Sequence, residues 1–330
     1  MGGHCGIPHN RPVSDGLHLL VPYAFSTAEG CAQALQGLQL PHLQRLAARL
    51  GAPQPDPGDE ASLSMPHERA LARAWGLHVR DGLIPLAAWQ AAQVPGTPGG
   101  SAWAWITPSH WRVGTDHIRM AHPEELQLDE AASRQLLAAM QPYFAEDGIA
   151  LDYLAPLQWR GRGELFRELP TASLDRVAGR VIDRWMPSGA TGRPLRRLQQ
   201  EMQMLLYNLP INDERQRQGL LPVNSIWVSG TGALPPDAAV KAPDSLREAT
   251  GLRAPALAQD WRAWAAAWTR LDATDIAQLL SEHEQGRAVR LTLCGERGTR
   301  SWAGAQAPGL WQRLGGLFTK PAPATLLEGL

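Results

Sequence analysis

The chain has 330 residues, 44% of them hydrophobic, enough to bury the core of one large domain or two modest ones. Thirty-one Lys and Arg against 32 Asp and Glu leave a formal charge of -1, which excludes a bulk field drawing in nucleic acid, an anionic membrane or a basic partner. The three cysteines, Cys5, Cys31 and Cys294, are odd in number and lack metal-ligand spacing, as expected of inert thiols in a reducing cytoplasm. No apolar run approaches the ~20 residues that span a bilayer, and the opening MGGHCGIPHNRPVSDG has no basic stretch followed by an apolar one. A cytoplasmic protein with no membrane or nucleic-acid partner is the expectation.

Residues 1–16, polar with Gly and Pro, read as a disordered leader. A single α/β domain over 17–330 should follow, with room for an insertion or subdomain around 95–190. LHLLVPYAF (17–25) has the length and apolarity of a buried strand, and the residues after it have helical spacing, with Ser26 or Thr27 able to cap. Pro41 starts a second helical piece, and GAPQPDPGDEAS is a loop by composition. In SLSMPHERALARAWGL, Ser64, Pro66 and Glu68 have the spacing of a capped helix start with an acidic first turn, which places His67 at a capped surface position.

The run SAWAWIT alternates as a strand does, and a Pro turn leads to a second extended piece around HIRM. DEAASRQLLAAMQPYF predicts a helix ended by Pro142, and IALDYLAPLQWRGRGELF a hairpin. Leu195, Leu198, Met202, Leu205 and Leu206 form a helix-period stripe, with the basic run Arg193, Arg196 and Arg197 on the solvated side. Trp261, Trp264, Trp268 and Leu271 make another, read as a core face. RAVRLTLCGERGTRSW is a late strand, followed by a short amphipathic segment over 309–319. Alternating strands and helices predict an α/β fold with a mixed or mostly parallel sheet and helices on both faces.

NLPINDERQRQGLLPVNSIWVSGTG (208–232) concentrates turn residues and amides. Asn212 and Asp213 can cap a helix starting at Glu214, Gly219 can end it in a left-handed conformation, and Pro222 prevents a restart. Asn224 then stands at the mouth of the apolar strand Ser225-Ile226-Trp227-Val228, with Ser229, Gly230, Thr231 and Gly232 as a turn at its carboxyl end. In open α/β sheets ligands bind at that end, and glycines let backbone N–H groups approach an anion. Asn212, Arg215, Asn224, Ser225, Ser229, Gly230, Thr231 and Gly232 are therefore the ligand-binding candidates for a small phosphate or carboxylate, joined by Arg112 beside the turn after the Trp-rich strand. No metal or other cofactor is expected. His67, His110, Asp116 and His117 have the chemistry of metal ligands but no recognised spacing, and no G-x-S-x-G elbow marks a hydrolase.

The pattern carried by Pro210, Asn212, Arg215, Gly219, Pro222, Asn224, Ser225, Ile226, Trp227, Gly230 and Gly232 resembles a motif of the archaeal-type cofactor-independent phosphoglycerate mutases of the alkaline phosphatase superfamily. From Leu17 onward, through SLSMPHERALARA, WITPSHWRVGTDH, PYFAEDG, TASLDRVAGR and RPLRRLQQEMQMLLY, the chain more closely resembles the proteobacterial RpfE-type family, described as regulatory. The first resemblance implies two divalent metals, held by Asp and His at strand ends, that activate a Ser nucleophile. The expected Asp-Gly after the first strand is replaced by Pro22 and Tyr23, and no Asp-His pair follows the late strand; Asp116-His117 precedes the shared stretch instead of following it. Ser229 stands where many of the mutases have Arg.

The implied protein is a regulatory or binding one on a degenerate mutase-like scaffold, taking a small anion or a protein partner without metal-dependent catalysis. One alternative is an active phosphomutase or phosphatase with displaced ligands, which requires His67, His110, Asp116 and His117 to converge near Ser229 and Gly230. Another is an assembly role through an exposed Trp-rich face over 261–271 and the 309–319 segment.

Overall fold

The computed structural model describes residues 16–77, 80–235, 238, 242–304 and 321–330. The leader up to residue 15 and the 309–319 segment lie outside the described residues. Contacts divide the chain into two compact units, a discontinuous one made of Met1–Pro57 with Asp244–Leu330, and one inserted in it, Gly58–Pro243. The sequence offered one domain with a smaller insertion or subdomain around 95–190; its composition carries no break at either boundary.

The discontinuous unit begins with β1 (Leu17–Val21), α1 (Cys31–Gln36), α2 (Pro41–Leu50) and β2 (Gln54–Asp56). The inserted unit opens with α3 (Pro66–Ala74), α4 (Leu86–Ala92), β3 (Ala102–Ser109), β4 (Trp111–Val113), β5 (Ile118–Met120) and α5 (Glu130–Glu146). It continues through β6 (Ala150–Ala155), β7 (Gln158–Arg162), α6 (Leu174–Val177), α7 (Gly189–Tyr207), α8 (Pro210–Arg217) and β8 (Ser225–Ala233). The chain returns through β9 (Leu246–Glu248), α9 (Arg253–Leu257), α10 (Trp261–Leu271), α11 (Ala277–Glu284), β10 (Val289–Cys294), β11 (Thr299–Gly304) and α12 (Pro323–Leu327).

The discontinuous unit is a mixed sheet in the order β2-β11-β10-β1-β9. β1 runs parallel to both β9 and β10, while β11 is antiparallel to β10 and β2. The mixed α/β fold is thus the one expected. The helix after β1 starts later than Ser26 or Thr27 would allow. Gly30, at φ 90°, precedes Cys31, and a Cβ there would come within 2.6 Å of the Trp261 ring. Thr27 donates instead through its N–H (2.9 Å) and hydroxyl (2.7 Å) to Glu296 Oε2. Trp264 and Trp268 are each 0% exposed, and the Trp264 indole N–H donates to the Tyr23 carbonyl at 2.9 Å. The stripe is a core face, so residues 261–271 present no exposed apolar patch.

The inserted unit carries an all-antiparallel sheet, β6-β7-β3-β8, and a separate β4-β5 hairpin. Strands β6 and β7 form the expected hairpin. Leu136, Met140 and Phe144 of α5 and Leu195, Leu198, Met202 and Leu206 of α7 share one core with Ile106 and Trp159 of the sheet. Contrary to expectation, α5 continues past Pro142 to Glu146. Burial of Met140 before the proline and Phe144 after it outweighs the single backbone bond that proline removes.

Candidate functional site

The amides of the 208–232 stretch hold backbone. Helix α8 starts at Pro210, so Asn212 lies within its first turn and caps nothing at Glu214. The buried Asn212 amide donates to the Leu206 carbonyl (2.8 Å) and the Val223 carbonyl (2.7 Å), and accepts from the Val223 N–H (2.9 Å). Arg215, also buried, donates to the carbonyls of Leu221 (3.0 Å) and Leu126. Asn224 bonds both the N–H (2.7 Å) and the C=O (2.9 Å) of Trp111, copying a strand partner, and Ser225 Oγ accepts from Gln203 at 3.2 Å. Gly219 does take the left-handed conformation, at φ 75°.

Residues 229–232 are not a strand-end turn. β8 runs on through them to Ala233, antiparallel to β3, with a bulge: Ser229 faces Trp105 and Gly232 faces Trp103. A Cβ on Gly230 (φ 62°) would lie 2.9 Å from the Trp105 ring, and one on Gly232 (φ 133°) 3.1 Å from Pro85. The glycines thus serve a bulge and two close approaches. The rule that placed a ligand at the strand end concerns open α/β sheets, and this sheet is antiparallel throughout. Thr231 is tied to the Leu169 carbonyl (2.6 Å), the Gly82 carbonyl (3.2 Å) and the Thr171 hydroxyl (3.0 Å).

The remaining candidates are scattered. Exposed Arg112 donates to Glu125 at 3.0 Å, and His110 Nδ1 lies 2.8 Å from the Pro222 carbonyl, with burial lowering its pKa. Asp116 and His117 pair at 2.6 Å on the exposed turn between β4 and β5. His67 is buried, not on the surface as its helix position suggested, and its Nε2 is 3.8 Å from the Asp175 carboxylate. Among the described residues no three His, Cys, Asp or Glu side chains are grouped to hold a metal ion.

What the fold does assemble is a polar network between two segments far apart in sequence, 64–69 and 171–176. Ser64 does not cap α3; its hydroxyl accepts from the Gly82 N–H at 2.8 Å, while Asp81 accepts from the N–H groups of Leu63 and Ser64, each at 2.9 Å. The Ser64 carbonyl accepts from Arg69 (3.0 Å) and Arg176 (3.4 Å). Glu68 takes the capping duty, its Oε2 accepting from the Met65 N–H at 2.8 Å, and its Oε1 accepts from the Ser173 hydroxyl at 2.7 Å. Arg176 also lies over the Trp185 ring, 5.6 Å from its centroid. Since Gly82 bonds both Ser64 and Thr231, the network extends to the bulge in β8.

His67, Arg69, Ser173, Asp175 and Arg176 are buried, while Glu68 keeps part of its surface open. So many protein atoms surround the Glu68 carboxyl that lost hydration raises its pKa from 4.5 to about 7. Bonds from Ser173 and Met65 oppose that rise, nearby Asp175 adds to it, and Arg176 opposes it. Sequence reasoning read Glu68 as part of a capped helix start and passed over Arg69, Ser173, Asp175 and Arg176. The available signal was charge density: His67-Glu68-Arg69 and Asp175-Arg176 stand in two short segments that carry the RpfE-type resemblance.

The mutase resemblance implies Asp and His ligands after the first and the late strand of the chain. β1 is followed by Pro22 and Tyr23, and β10 by Gly295 and Glu296, whose carboxylate already accepts from Thr27 twice. No protein-family profile matches the chain, and no curated protein matches it by sequence. Solved structures similar to this mixed α/β chain include a cofactor-independent phosphoglycerate mutase from Thermoplasma acidophilum, covering 94% of this chain and 98% of that one at 11% identity and a TM-score of 0.36. A protein from Pyrococcus horikoshii covers 88% of this chain and 87% of its own at 13% identity and a TM-score of 0.44. No helix among the described residues is long and apolar enough to cross a membrane.

Proposed function

We propose that the chain is a cytoplasmic regulatory or binding protein, on a degenerate phosphoglycerate-mutase-like scaffold and without metal-dependent catalysis, that takes a small phosphate or carboxylate at the network around Glu68. The observation that supports this reading is the convergence of Arg69 and Arg176 on the Ser64 carbonyl in the same network as the Glu68 carboxyl. Burying charged groups costs several kcal/mol per ion before partners offset it, and strongly perturbed carboxyls gather at working sites more than elsewhere. Guanidinium groups suit oxyanions by charge and by their planar fork.

The test is calorimetric titration with inorganic phosphate and with 3-phosphoglycerate, alongside a mutase and phosphomonoesterase assay with added Mn²⁺, Zn²⁺ or Mg²⁺. The expected result is saturable binding without turnover, weakened at least about tenfold in Arg176→Ala and less in Arg176→Lys. Turnover with metal, lost in Asp116→Ala, would instead support the phosphomutase alternative. Wild-type protein that binds neither anion and turns over nothing would overturn the anion-binding reading.

A further inference from the structure

The strand-end rule that fails in the inserted unit applies to the discontinuous one, where β9, β1 and β10 run parallel and bring their carboxyl ends to one edge. Three features meet there. Tyr23, two residues past β1, is buried and held at φ 57°, a left-handed backbone that a non-glycine residue keeps only where its surroundings fix it. Glu296, two residues past β10, is buried as well, with its carboxylate on the N–H and hydroxyl of Thr27. Residues 321–330 return to the same edge: Leu330 is 1% exposed and lies so close to Gly295 that an added Cβ there would come within 2.4 Å of it.

The returning segment is held mainly by one side chain. Arg300 of β11 donates to the carbonyls of Thr325 (2.9 Å), Leu326 (2.8 Å) and Glu328 (2.8 Å), groups that the end of a short helix leaves without partners of its own. Gln44 of α2 adds one bond, to the Pro321 carbonyl at 2.9 Å. Helix α12 packs on α1 through a face that buries Leu326 and Leu327, and at five residues it is too short to persist in water by itself. It adds no strand to the sheet, so it can lift away without breaking a ladder. We propose that residues 321–330 are a strap that opens as a unit while the sheet stays folded, and that its opening governs access to Thr27 and Glu296 at the strand ends. Arg300 is the clasp, and its planar fork grips several carbonyls at once in a way that a lysine does not.

The test is hydrogen exchange of the full chain, read by mass spectrometry at several urea concentrations below the unfolding transition. In the wild type, amides of 321–330 and of 26–31 should exchange together, faster than those of β1 and β10 and with a weaker dependence on urea, as a sub-global opening does. Arg300→Met should speed that shared exchange at least about tenfold through the loss of three bonds from a charged donor, with the strand amides still the slower set. Arg300→Lys should fall between the two. Cys31, a buried free thiol on α1, gives a second readout: its alkylation by iodoacetamide should quicken in Arg300→Met by a similar factor. Strap amides that exchange only with the strands, at the same rate and with the same urea dependence, would overturn the proposal. An opening that 26–31 and Cys31 do not share would overturn the claim of access, and exchange unchanged in Arg300→Met would overturn the clasp. Should that variant fail to fold, the wild-type urea series still decides whether the strap opens by itself, and Leu330→Ala, which trims the contact at Gly295, should speed its exchange in the same direction.

Discussion

Two polar stretches of the inserted unit use their side chains in opposite ways. In residues 208–232 every prominent amide and guanidinium of the shared motif is bonded to main chain: Asn212 to Leu206 and Val223, Arg215 to Leu221, Asn224 to Trp111. In the 64–69 and 171–176 segments, side chains bond one another as well, and a carboxyl is left near its point of titration. The first arrangement fixes a shape that should be indifferent to pH and solute. The second is the kind of arrangement that can respond to either. A motif rich in Asn, Gly and Pro can therefore signal geometry alone, while the responsive groups sit in helices of ordinary appearance.

The strongest way to break this contrast is Asn212→Ala, which strands three buried backbone groups. It should cost about 3 kcal/mol in urea unfolding and, in whatever remains folded, leave phosphate affinity unchanged. A large affinity loss in correctly folded protein would show that the motif does more than hold shape. Next comes Gly230→Ala, expected to destabilise by about 2 kcal/mol because a left-handed residue gains a Cβ against the Trp105 ring. Trimming that ring with Trp105→Leu should recover the steric part and leave the backbone part.

A smaller effect separates the arrangements by pH. The folded chain raises the Glu68 pKa from 4.5 to about 7, so it holds a proton that the unfolded chain releases, and this contribution to stability is lost as pH rises across that window. Glu68→Gln should flatten that part of the stability profile, read by chemical unfolding at several pH values. His18 supplies an internal contrast of opposite sign in the other unit. Burial, then Arg290, lowers its pKa from 6.5 to about 4, so its contribution fades as pH falls through that range, and His18→Gln should remove it. The smallest effect expected is from Arg112→Ala. Its exposed pair with Glu125 should be worth under ~0.5 kcal/mol, with no change in phosphate affinity.

Much of the element order was legible because it rests on local rules. The β6-β7 hairpin, the α7 stripe and the Trp264-Trp268 face follow from period and turn chemistry. Features decided by distant partners were not legible. Pro142 sits inside a helix because Met140 and Phe144 are buried elsewhere in the core, and S-G-T-G is a bulge because Trp105 of another strand lies against it. Glu68 looked like a cap and is one, but its second partner is Ser173, 105 residues away. Nothing in the spacing of either segment announces that meeting. The mixed sheet was foreseen, whereas the all-antiparallel inserted sheet was concealed by helices that interrupt its strands in sequence without crossing over between parallel neighbours.

The bulge in β8 has an implication for how this strand can change length over generations. From Ser229 to Gly232 it advances three residues while β3 advances two, from Trp105 to Trp103. Deleting Gly230 would leave Thr231 opposite Ala104 and restore plain pairing on both sides, whereas adding a residue would deepen the mismatch and turn the side chains beyond it to the wrong face. Length variation here is therefore one-sided: descendants of this sequence can lose a residue at the bulge far more readily than gain one.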